Sequence, residues 1–295
     1  MPPSKNASLL RSVFSEVDAI ASRISKQEFP ILLRPIAELR KVTSVDFCPL
    51  LVDAALITHP DGFRILLNSD GGRASELKER FNNESRERMM HPRWRFSIAH
   101  ELAHTFFYDI SKKRPQLAKT FTSGGGRAAL DNLERNCNKI ASHLLLPTAM
   151  FRKEFLRLKA ITPETVLSFA QRAGVSLQAL LIRLNQSDSL FVRRYYRGCI
   201  VLIKQYEGGT VIRAIAKPKS LNIAQQLSLM RAGDAWKLKT HDGSEISPFL
   251  LPPTSFATLD IVTAMSKSPK QYKLCVAEVG SFEGVSSFLI TFEEN

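Results

Sequence analysis

Several features of other protein classes are absent from this 295-residue chain, and their absence narrows its function. The four cysteines are widely spaced, at positions 48, 137, 199 and 275, with no Cys-x-x-Cys pair. This spacing excludes a dense disulfide framework and favours free thiols in a reducing, cytoplasmic compartment. No apolar run reaches the length of a membrane span, and Glu16 and Asp18 interrupt the apolar residues near the N-terminus. We therefore expect neither a signal peptide nor a membrane anchor.

A phosphate-binding loop and a concentrated basic region are also missing. The segment from Thr122 to Arg127 holds three glycines, but no Gly-Lys-Ser or Gly-Lys-Thr follows, so we interpret it as a flexible connector. The net charge is +13, yet the basic residues are spread along the chain. This distribution argues against a surface dedicated to nucleic acid.

The most informative stretch that is present is His-Glu-Leu-Ala-His at positions 100–104. Residues four apart lie on one helix face, so His100 and His104 can direct ring nitrogens at one metal ion while Glu101 reaches its bound water. Apolar residues recur around the motif at helical spacing: Phe96, Ala99, Ala103, Phe106 and Phe107. They indicate a core helix that carries the ligands beside its buried stripe. The pattern predicts metal-assisted hydrolysis, and a chance match on an ordinary amphipathic helix is the alternative.

A catalytic zinc site needs a third protein ligand, and a second helix offers one. The metzincin pattern is excluded, because Phe107 and Ile110 stand where it requires glycine and histidine. Glu134 lies near the start of the apolar-periodic run 130–146, so we expect its carboxylate to complete the site. Asn138 follows one turn later, where its amide would hydrogen-bond a ligand histidine and orient it without contacting the ion. The alternatives are an acid that only complements the helix dipole and a solvated amide.

Two linked segments of the chain resemble the ImmA/IrrE family of metallo-endopeptidases. Residues 95–104 read Arg-Phe-Ser-Ile-Ala-His-Glu-Leu-Ala-His, and residues 134–147 read Glu-Arg-Asn-Cys-Asn-Lys-Ile-Ala-Ser-His-Leu-Leu-Leu-Pro. The resemblance extends over about residues 45–190. It implies a Zn²⁺ ion held by His100, His104 and Glu134, with Glu101 as the general base.

The resemblance also implies a substrate class. Family members cleave a helix-turn-helix repressor and so relieve transcription after stress or mobile-element signals, and we expect a protein substrate of this kind. Two alternatives stay open: a proteolytically silent regulator that binds DNA or protein on the same fold, and a component of a toxin–antitoxin or mobile-element module. The intact Glu101 favours catalysis, because a silent scaffold has no need of the base.

Three residues near the motif have open roles. Cys137 stands where the family usually has a small residue, and it is either a soft metal ligand or redox sensor, or a small buried filler. His143 lies half a helical turn from Glu134, so we expect it to face elsewhere. Tyr108 is either a hydrogen-bond donor to an oxyanion or a solvated aromatic at the helix end.

Two features leave direct nucleic-acid binding open. Basic residues flank the predicted metal helix: Arg86, Arg88, Arg93 and Arg95 before it, and Lys112, Lys113 and Arg114 after it. Residues 162–186 suit a helix-turn-helix, in which Pro163 opens the first helix and Ser176 caps the second. The polar donors on that second helix are Gln178, Arg183, Asn185 and Gln186. Solvated loops and a purely structural helix pair are the alternatives.

We divide the chain into a zinc metallopeptidase-like domain (1–155), a helix-turn-helix-like segment (156–190) and a C-terminal α+β domain (191–295). The predicted class is α+β, mostly helical in the peptidase domain, with a β-hairpin around the turn at 59–62. The C-terminal domain alternates predicted strands with a helical patch at 222–232. The family resemblance suggests a GAF-like sensor there, and a docking or dimerisation unit is the alternative.

Overall fold

A computed structural model gives the architecture of the chain. It describes residues 5–24, 28–68, 74–112, 114–117, 127–158, 160–186, 199–206, 209–216, 238–239, 245–246, 256–261, 270–282 and 285–294. Two compact units result: residues 1–153 with 171–176, and residues 154–170 with 177–295. The α+β class is confirmed, while the three-domain division at residues 155 and 190 stays a prediction.

The described helices and strands follow the chain in this order. The helices are α1 (Lys5–Ile24), α2 (Arg34–Leu39), α3 (Ala74–Asn82), α4 (Glu84–Arg88), α5 (Pro92–Thr105), α6 (Arg127–Leu145), α7 (Thr148–Phe155), α8 (Pro163–Ala173) and α9 (Leu177–Gln186). The strands are β1 (Val42–Cys48), β2 (Ala54–His59), β3 (Gly62–Asn68), β4 (Tyr108–Asp109), β5 (Gln116–Leu117), β6 (Cys199–Tyr206), β7 (Gly209–Ala216), β8 (Leu238–Lys239), β9 (Glu245–Ile246), β10 (Phe256–Ile261), β11 (Lys270–Phe282) and β12 (Val285–Glu294). The helices expected around the metal motif and over the run 130–146 are therefore confirmed as α5 and α6.

A three-stranded sheet of order β1-β3-β2 supports the first unit. β2 and β3 form the antiparallel hairpin expected around residues 59–62, with His59 opposite Gly62. β1 pairs in parallel with β3, and residues 49–53 separate β1 from β2. Phe63, Ile65 and Leu67 of the central strand are fully buried, whereas β2 lies at the edge of the sheet.

Helix α5 is a core helix that begins where its sequence provides a cap. Nδ1 of His91 accepts the backbone N–H of Arg93 at 3.2 Å, and Pro92 occupies the first turn, where its missing N–H costs no helical bond. Ile98 and Leu102 are 0% exposed. The buried stripe of α5 packs on the sheet, and α6 packs beside α5. This arrangement sets the metal motif of α5 against one face of α6.

Arg40 closes the other end of α5. Its guanidinium donates to the backbone oxygen of Thr105 at 2.5 Å and to Oγ1 of the same residue at 3.2 Å. It also pairs with Glu16 at 3.0 Å and lies over the ring of Phe106, 4.4 Å from the centroid. The Arg40 cation therefore provides a hydrogen-bond donor for a backbone oxygen in the last turn of α5, and it complements the negative end of the helix dipole.

A second buried arginine ties α5 to three other segments. Arg95 is 0% exposed and donates to the backbone oxygens of Ile31 (2.6 Å), Glu87 (3.2 Å) and Gly174 (3.1 Å). The carboxylate of Glu87 accepts the backbone N–H of Leu33. Gly174 has φ +64°, and a Cβ there would lie 2.9 Å from Nε of Arg95, so glycine fits the position best.

Helices α8 and α9 form the bent pair expected from residues 162–186. The bend is 102°, within the range of a helix-turn-helix. Arg183, one of the expected DNA-reading donors, is only 1% exposed, so it is unavailable to a nucleic acid in this structure. No single described helix is long and apolar enough to span a membrane; α8 and α9 pass that test only when the bent pair is counted together.

The second unit carries a five-stranded antiparallel sheet of order β10-β11-β12-β6-β7. The predicted strands at 200–205, 210–216, 273–279 and 286–292 are confirmed, and β10 is an additional edge strand. Helix α9 packs on β7. The predicted helical patch at 222–232 lies outside the described residues, and the GAF-like assignment stays a prediction.

Candidate metal centre

Two helices bring the three expected ligand side chains together. His100 and His104 lie one turn apart on α5, and Glu134 lies on α6. Nε2 of His100 lies 3.2 Å from Nε2 of His104 and 3.0 Å from Oε2 of Glu134. Nε2 of His104 lies 3.6 Å from Oε1 of Glu134. Ligand atoms from all three residues therefore converge, each within 4.8 Å of the others.

These separations suit a small tetrahedral ion. Zinc holds nitrogen and oxygen ligands at about 2.0–2.1 Å, so two ligands of a tetrahedron lie about 3.3 Å apart. The two nitrogens lie 3.2 Å apart, and each has one oxygen of Glu134 at 3.0 or 3.6 Å, so these separations bracket that value. Two imidazoles and one carboxylate are also a known ligand set for catalytic zinc with its fourth position open. The residues present therefore fit Zn²⁺.

Hydrogen bonding and burial act on the two imidazoles. Nδ1 of His100 donates to Oδ1 of Asn138 at 3.0 Å, so the neutral form of the His100 ring offers its lone pair at Nε2. Burial lowers the pKa of His104, with His100 acting in the same direction and Glu134 opposing it. Burial therefore favours the uncharged form of His104, which is the form that binds a metal ion.

Cys137 contacts the His104 ring at Nδ1, the nitrogen that does not face the other two candidate ligands. Its Sγ lies 3.4 Å from Nδ1 of His104, and the side chain is 0% exposed. Because the sulfur faces Nδ1 rather than Nε2, the geometry argues against Cys137 as a fourth ligand. Burial, together with Glu134 and Glu101, raises the pKa of its thiol well above the ordinary value, which argues against a redox sensor.

Glu101 follows His100 on α5 and reaches the same cleft. It is 7% exposed. Burial raises the pKa of Glu101 to about 7, the Glu134 carboxylate adds to that effect, and the backbone N–H of Leu56 on β2 opposes it. A carboxylate with a pKa near neutrality suits the removal of a proton from water and its later release.

The candidate ligands line a cleft of about 460 Å³. Its lining residues are Val52, Asp53, Ala54, Phe96, Ser97, His100, Glu101, His104, Glu134 and Asn138. Glu134 is 44% exposed, so the cleft opens to solvent at the ligand carboxylate. An exposed ion pair of 2.6 Å joins Arg93 on α5 to Asp53, the residue before β2, at the rim of the cleft. Phe96, expected in the buried stripe of α5, instead lines the cleft.

Two other candidate residues lie apart from the ligand group. The ring of His143 stacks on Phe14 of α1, with centroids 4.0 Å apart and an angle of 10° between the planes. Its expected orientation away from the metal motif is therefore confirmed. Tyr108 packs edge to face on Phe63 at 5.1 Å, and it is absent from the residues that line the described cleft.

The basic residues expected ahead of the metal helix have partners within the chain, and two of them, Arg93 and Arg95, lie on α5 itself. Arg86 pairs with Glu79, and Arg88 donates to the backbone oxygen of Pro30 at 3.0 Å. Arg95 is buried. Arg95 therefore serves the fold, and the contacts of Arg86 and Arg88 add no support to direct nucleic-acid binding by this cluster.

Comparison with known families matches the segment that carries the centre. Residues 85–185 match the family model described as Peptidase_M78, the IrrE N-terminal-like domain. The match covers about a third of the chain and includes all of α5 and α6, hence the three candidate ligands and Glu101. The resemblance to the ImmA/IrrE family is thus confirmed for this segment.

Solved structures extend the likeness to the whole fold. A structure described as a Mycobacterium tuberculosis transcriptional regulator has a TM-score of 0.51 and 14% sequence identity, and the match covers 96% of this chain and 76% of that chain. At this identity the likeness concerns the fold alone. A search of curated proteins gives no match.

Proposed function

We propose that this protein is a zinc-dependent endopeptidase whose centre consists of His100, His104, Glu134 and Glu101. The observation that carries the proposal is the convergence of two imidazole nitrogens, 3.2 Å apart, on the Glu134 carboxylate, whose oxygens lie 3.0 Å from Nε2 of His100 and 3.6 Å from Nε2 of His104. Beside them lies the buried carboxylate of Glu101, whose pKa is about 7. The match of residues 85–185 to the IrrE N-terminal-like domain supports the same function.

Each side chain has a role in this proposal. His100, His104 and Glu134 hold the ion, and Asn138 keeps Nε2 of His100 directed at it. A bound zinc ion supplies Lewis acidity for a peptide carbonyl and for water. Glu101 accepts a proton from the attacking water at its carboxylate and then delivers it to the leaving amine nitrogen.

We further propose that the substrate is an extended segment of another protein, of the helix-turn-helix repressor class, cleaved in a stress or mobile-element response in the cytoplasm. The cleft opens at Glu134 and is bordered by residues 52–54 at the start of an edge strand, which suits a polypeptide segment better than an enclosed small molecule. The fold shared with a transcriptional regulator supports a regulatory setting. Cys48 and Cys137 are free thiols, in keeping with a reducing compartment.

Hydrolysis of a proteome-derived peptide library, followed by mass spectrometry, tests the proposed activity. The full-length protein should cut peptide bonds, lose the activity when a chelator strips the metal, and regain it with Zn²⁺. The matched control is Glu101→Gln, which keeps the shape of the side chain and removes the base. Cleavage that survives both the chelator and Glu101→Gln would refute the proposal.

A silent DNA-binding regulator is the second candidate, because α8 and α9 meet at 102°. The burial of Arg183 counts against it, since that guanidinium is withheld from a DNA groove. A gel shift with duplex DNA across a salt series separates the two functions. Binding that weakens steeply with salt, without any peptide cleavage, would favour the regulator.

A further inference from the structure

Two consecutive residues of α6 contact the Nδ1 atoms of the two ligand histidines, the ring nitrogens that do not face the candidate metal site. Oδ1 of Asn138 lies 3.0 Å from Nδ1 of His100, and Sγ of Cys137 lies 3.4 Å from Nδ1 of His104. Glu134, one turn earlier on the same helix, faces Nε2 of both rings. A single helix therefore supplies one candidate ligand and a contact behind each of the other two.

We propose that Cys137 is a positioning residue whose sulfur accepts the Nδ1–H of His104 and thereby fixes the ring and tautomer that present Nε2 to the ion. This inference rests on the proposed zinc function. It assigns the buried thiol a role other than ligand, redox sensor or apolar filler.

The tautomer of His104 requires an acceptor at this place. An imidazole that offers the Nε2 lone pair to an ion carries its proton on Nδ1. Sγ of Cys137 lies within hydrogen-bond reach of that nitrogen. Since Cys137 is 0% exposed and packs within the α5–α6 contact, bulk water does not reach the sulfur side of the ring. Loss of the sulfur would remove the acceptor that faces the Nδ1–H of His104 in this buried place.

The contacts of Asn138 and Cys137 with the two Nδ1 atoms should differ in strength, which gives a further expectation. An amide oxygen is a full hydrogen-bond acceptor, whereas a thiol sulfur is a weak one. His100 should therefore be held more firmly than His104, and Asn138→Ala should weaken zinc binding more than Cys137→Ala.

Zinc dissociation constants measured by competition with a chelator, on the full chain, test the assignment. Cys137→Ala and Cys137→Ser form a matched pair, because the two side chains differ by one oxygen. Cys137→Ser keeps an acceptor and should bind zinc within about threefold of the original protein, whereas Cys137→Ala should bind about 10- to 100-fold more weakly. Equal affinity in the two variants would show that Cys137 only fills space.

Further measurements separate the remaining outcomes. Cobalt-loaded protein should show no sulfur-to-cobalt charge-transfer absorption; its presence in the original protein and loss in Cys137→Ser would make the thiol a ligand and overturn the assignment. If Cys137→Ala does not fold, Cys137→Thr and Cys137→Val provide the same comparison at nearly equal shape. If the original protein binds no zinc, the proposed function fails together with this inference, whereas zinc binding with equal affinity in the matched pair refutes this inference alone.

Discussion

Two carboxylates of the first unit share a raised pKa and differ in their surroundings. Glu87 on α4 is 1% exposed and Glu101 on α5 is 7% exposed, and burial raises the pKa of each to about 7. Glu87 accepts a backbone N–H and lies near the Arg95 cation. Glu101 lies near a second carboxylate, Glu134, and has the cleft beside it.

The difference shows that a perturbed pKa alone does not identify a reacting group. Beside Glu87, the Arg95 guanidinium donates to backbone oxygens of Ile31, Glu87 and Gly174, and so joins α4, α5 and the turn at Gly174. Around Glu101 a second carboxylate and the candidate ligand nitrogens converge, at a cleft that opens to solvent. The first arrangement stabilises the fold, and the second is suited to chemistry.

Removal of the two charges should affect activity very differently. Glu101→Gln should lower peptide hydrolysis about 10³-fold, the middle of the range for general acid–base catalysis, with zinc still bound. Glu87→Gln should keep most of the activity, because Gln retains an acceptor for Leu33. Steady-state hydrolysis rates of the two variants check this expectation. Equal losses of hydrolysis rate in the two variants would contradict the distinction between the two carboxylates.

The free energy of unfolding should rank the two carboxylates in the opposite order, with the larger loss at Glu87. Glu87→Ala removes the acceptor of the backbone N–H of Leu33 in a buried place, so the free energy of unfolding should fall by about 3 kcal/mol, the upper end of the cost of an unpaired buried donor. Glu101→Ala removes a carboxylate that burial disfavours, so its unfolding free energy should stay within about 1 kcal/mol of the original at pH 8. Urea denaturation of both variants gives the two values, and a larger loss in Glu101→Ala would contradict the comparison.

The pH dependence of stability should identify Glu87. Its pKa is raised from 4.5 to about 7, so between these values the folded state binds more protons than the unfolded state and stability falls as pH rises. This group contributes about 3 kcal/mol below pH 4.5, and that contribution is lost as pH passes 7. The difference in unfolding free energy between the original protein and Glu87→Gln, measured from pH 4 to 8, should change in that direction. A constant difference would place the Glu87 pKa near its ordinary value.

The smallest expected effect concerns the turn that Arg95 contacts. Gly174→Ala puts a Cβ 2.9 Å from Nε of Arg95 and 3.1 Å from Pro30, at φ +64°. The unfolding free energy should fall by about 2 kcal/mol, from backbone strain and displacement of the guanidinium. Ala173→Gly, one residue earlier in the helix, is a control for flexibility and should cost about 1 kcal/mol. If thermal denaturation shows that Ala173→Gly is more destabilising than Gly174→Ala, the tight fit at Gly174 is contradicted.

The sequence predicted local features well where periodicity and capping residues carried the signal. The expected helices around His100 and Glu134 and the hairpin at residues 59–62 are all present. The ligand spacing on α5 follows directly from the helical repeat. The placement of Glu134 opposite both histidines required, in addition, the packing of two helices that are distant in sequence.

Other features of the site had no local signal. Arg40 at the end of α5 and the backbone N–H of Leu56 near Glu101 come from segments about 45 to 65 residues away. The contact of Cys137 with His104 depends on the rotation of α6 relative to α5. The burial of Arg183 likewise depends on tertiary packing, which overrides the polar character of the residue.

The most direct test of the central claim is the zinc content of the purified full-length protein beside Glu134→Ala and Glu101→Gln. These variants remove neighbouring carboxylates, one proposed as a ligand and the other as the base. About one zinc ion per chain in the original protein and in Glu101→Gln, with little or none in Glu134→Ala, is the predicted result. Undiminished zinc in Glu134→Ala, or no zinc in the original protein under any loading condition, would contradict the account.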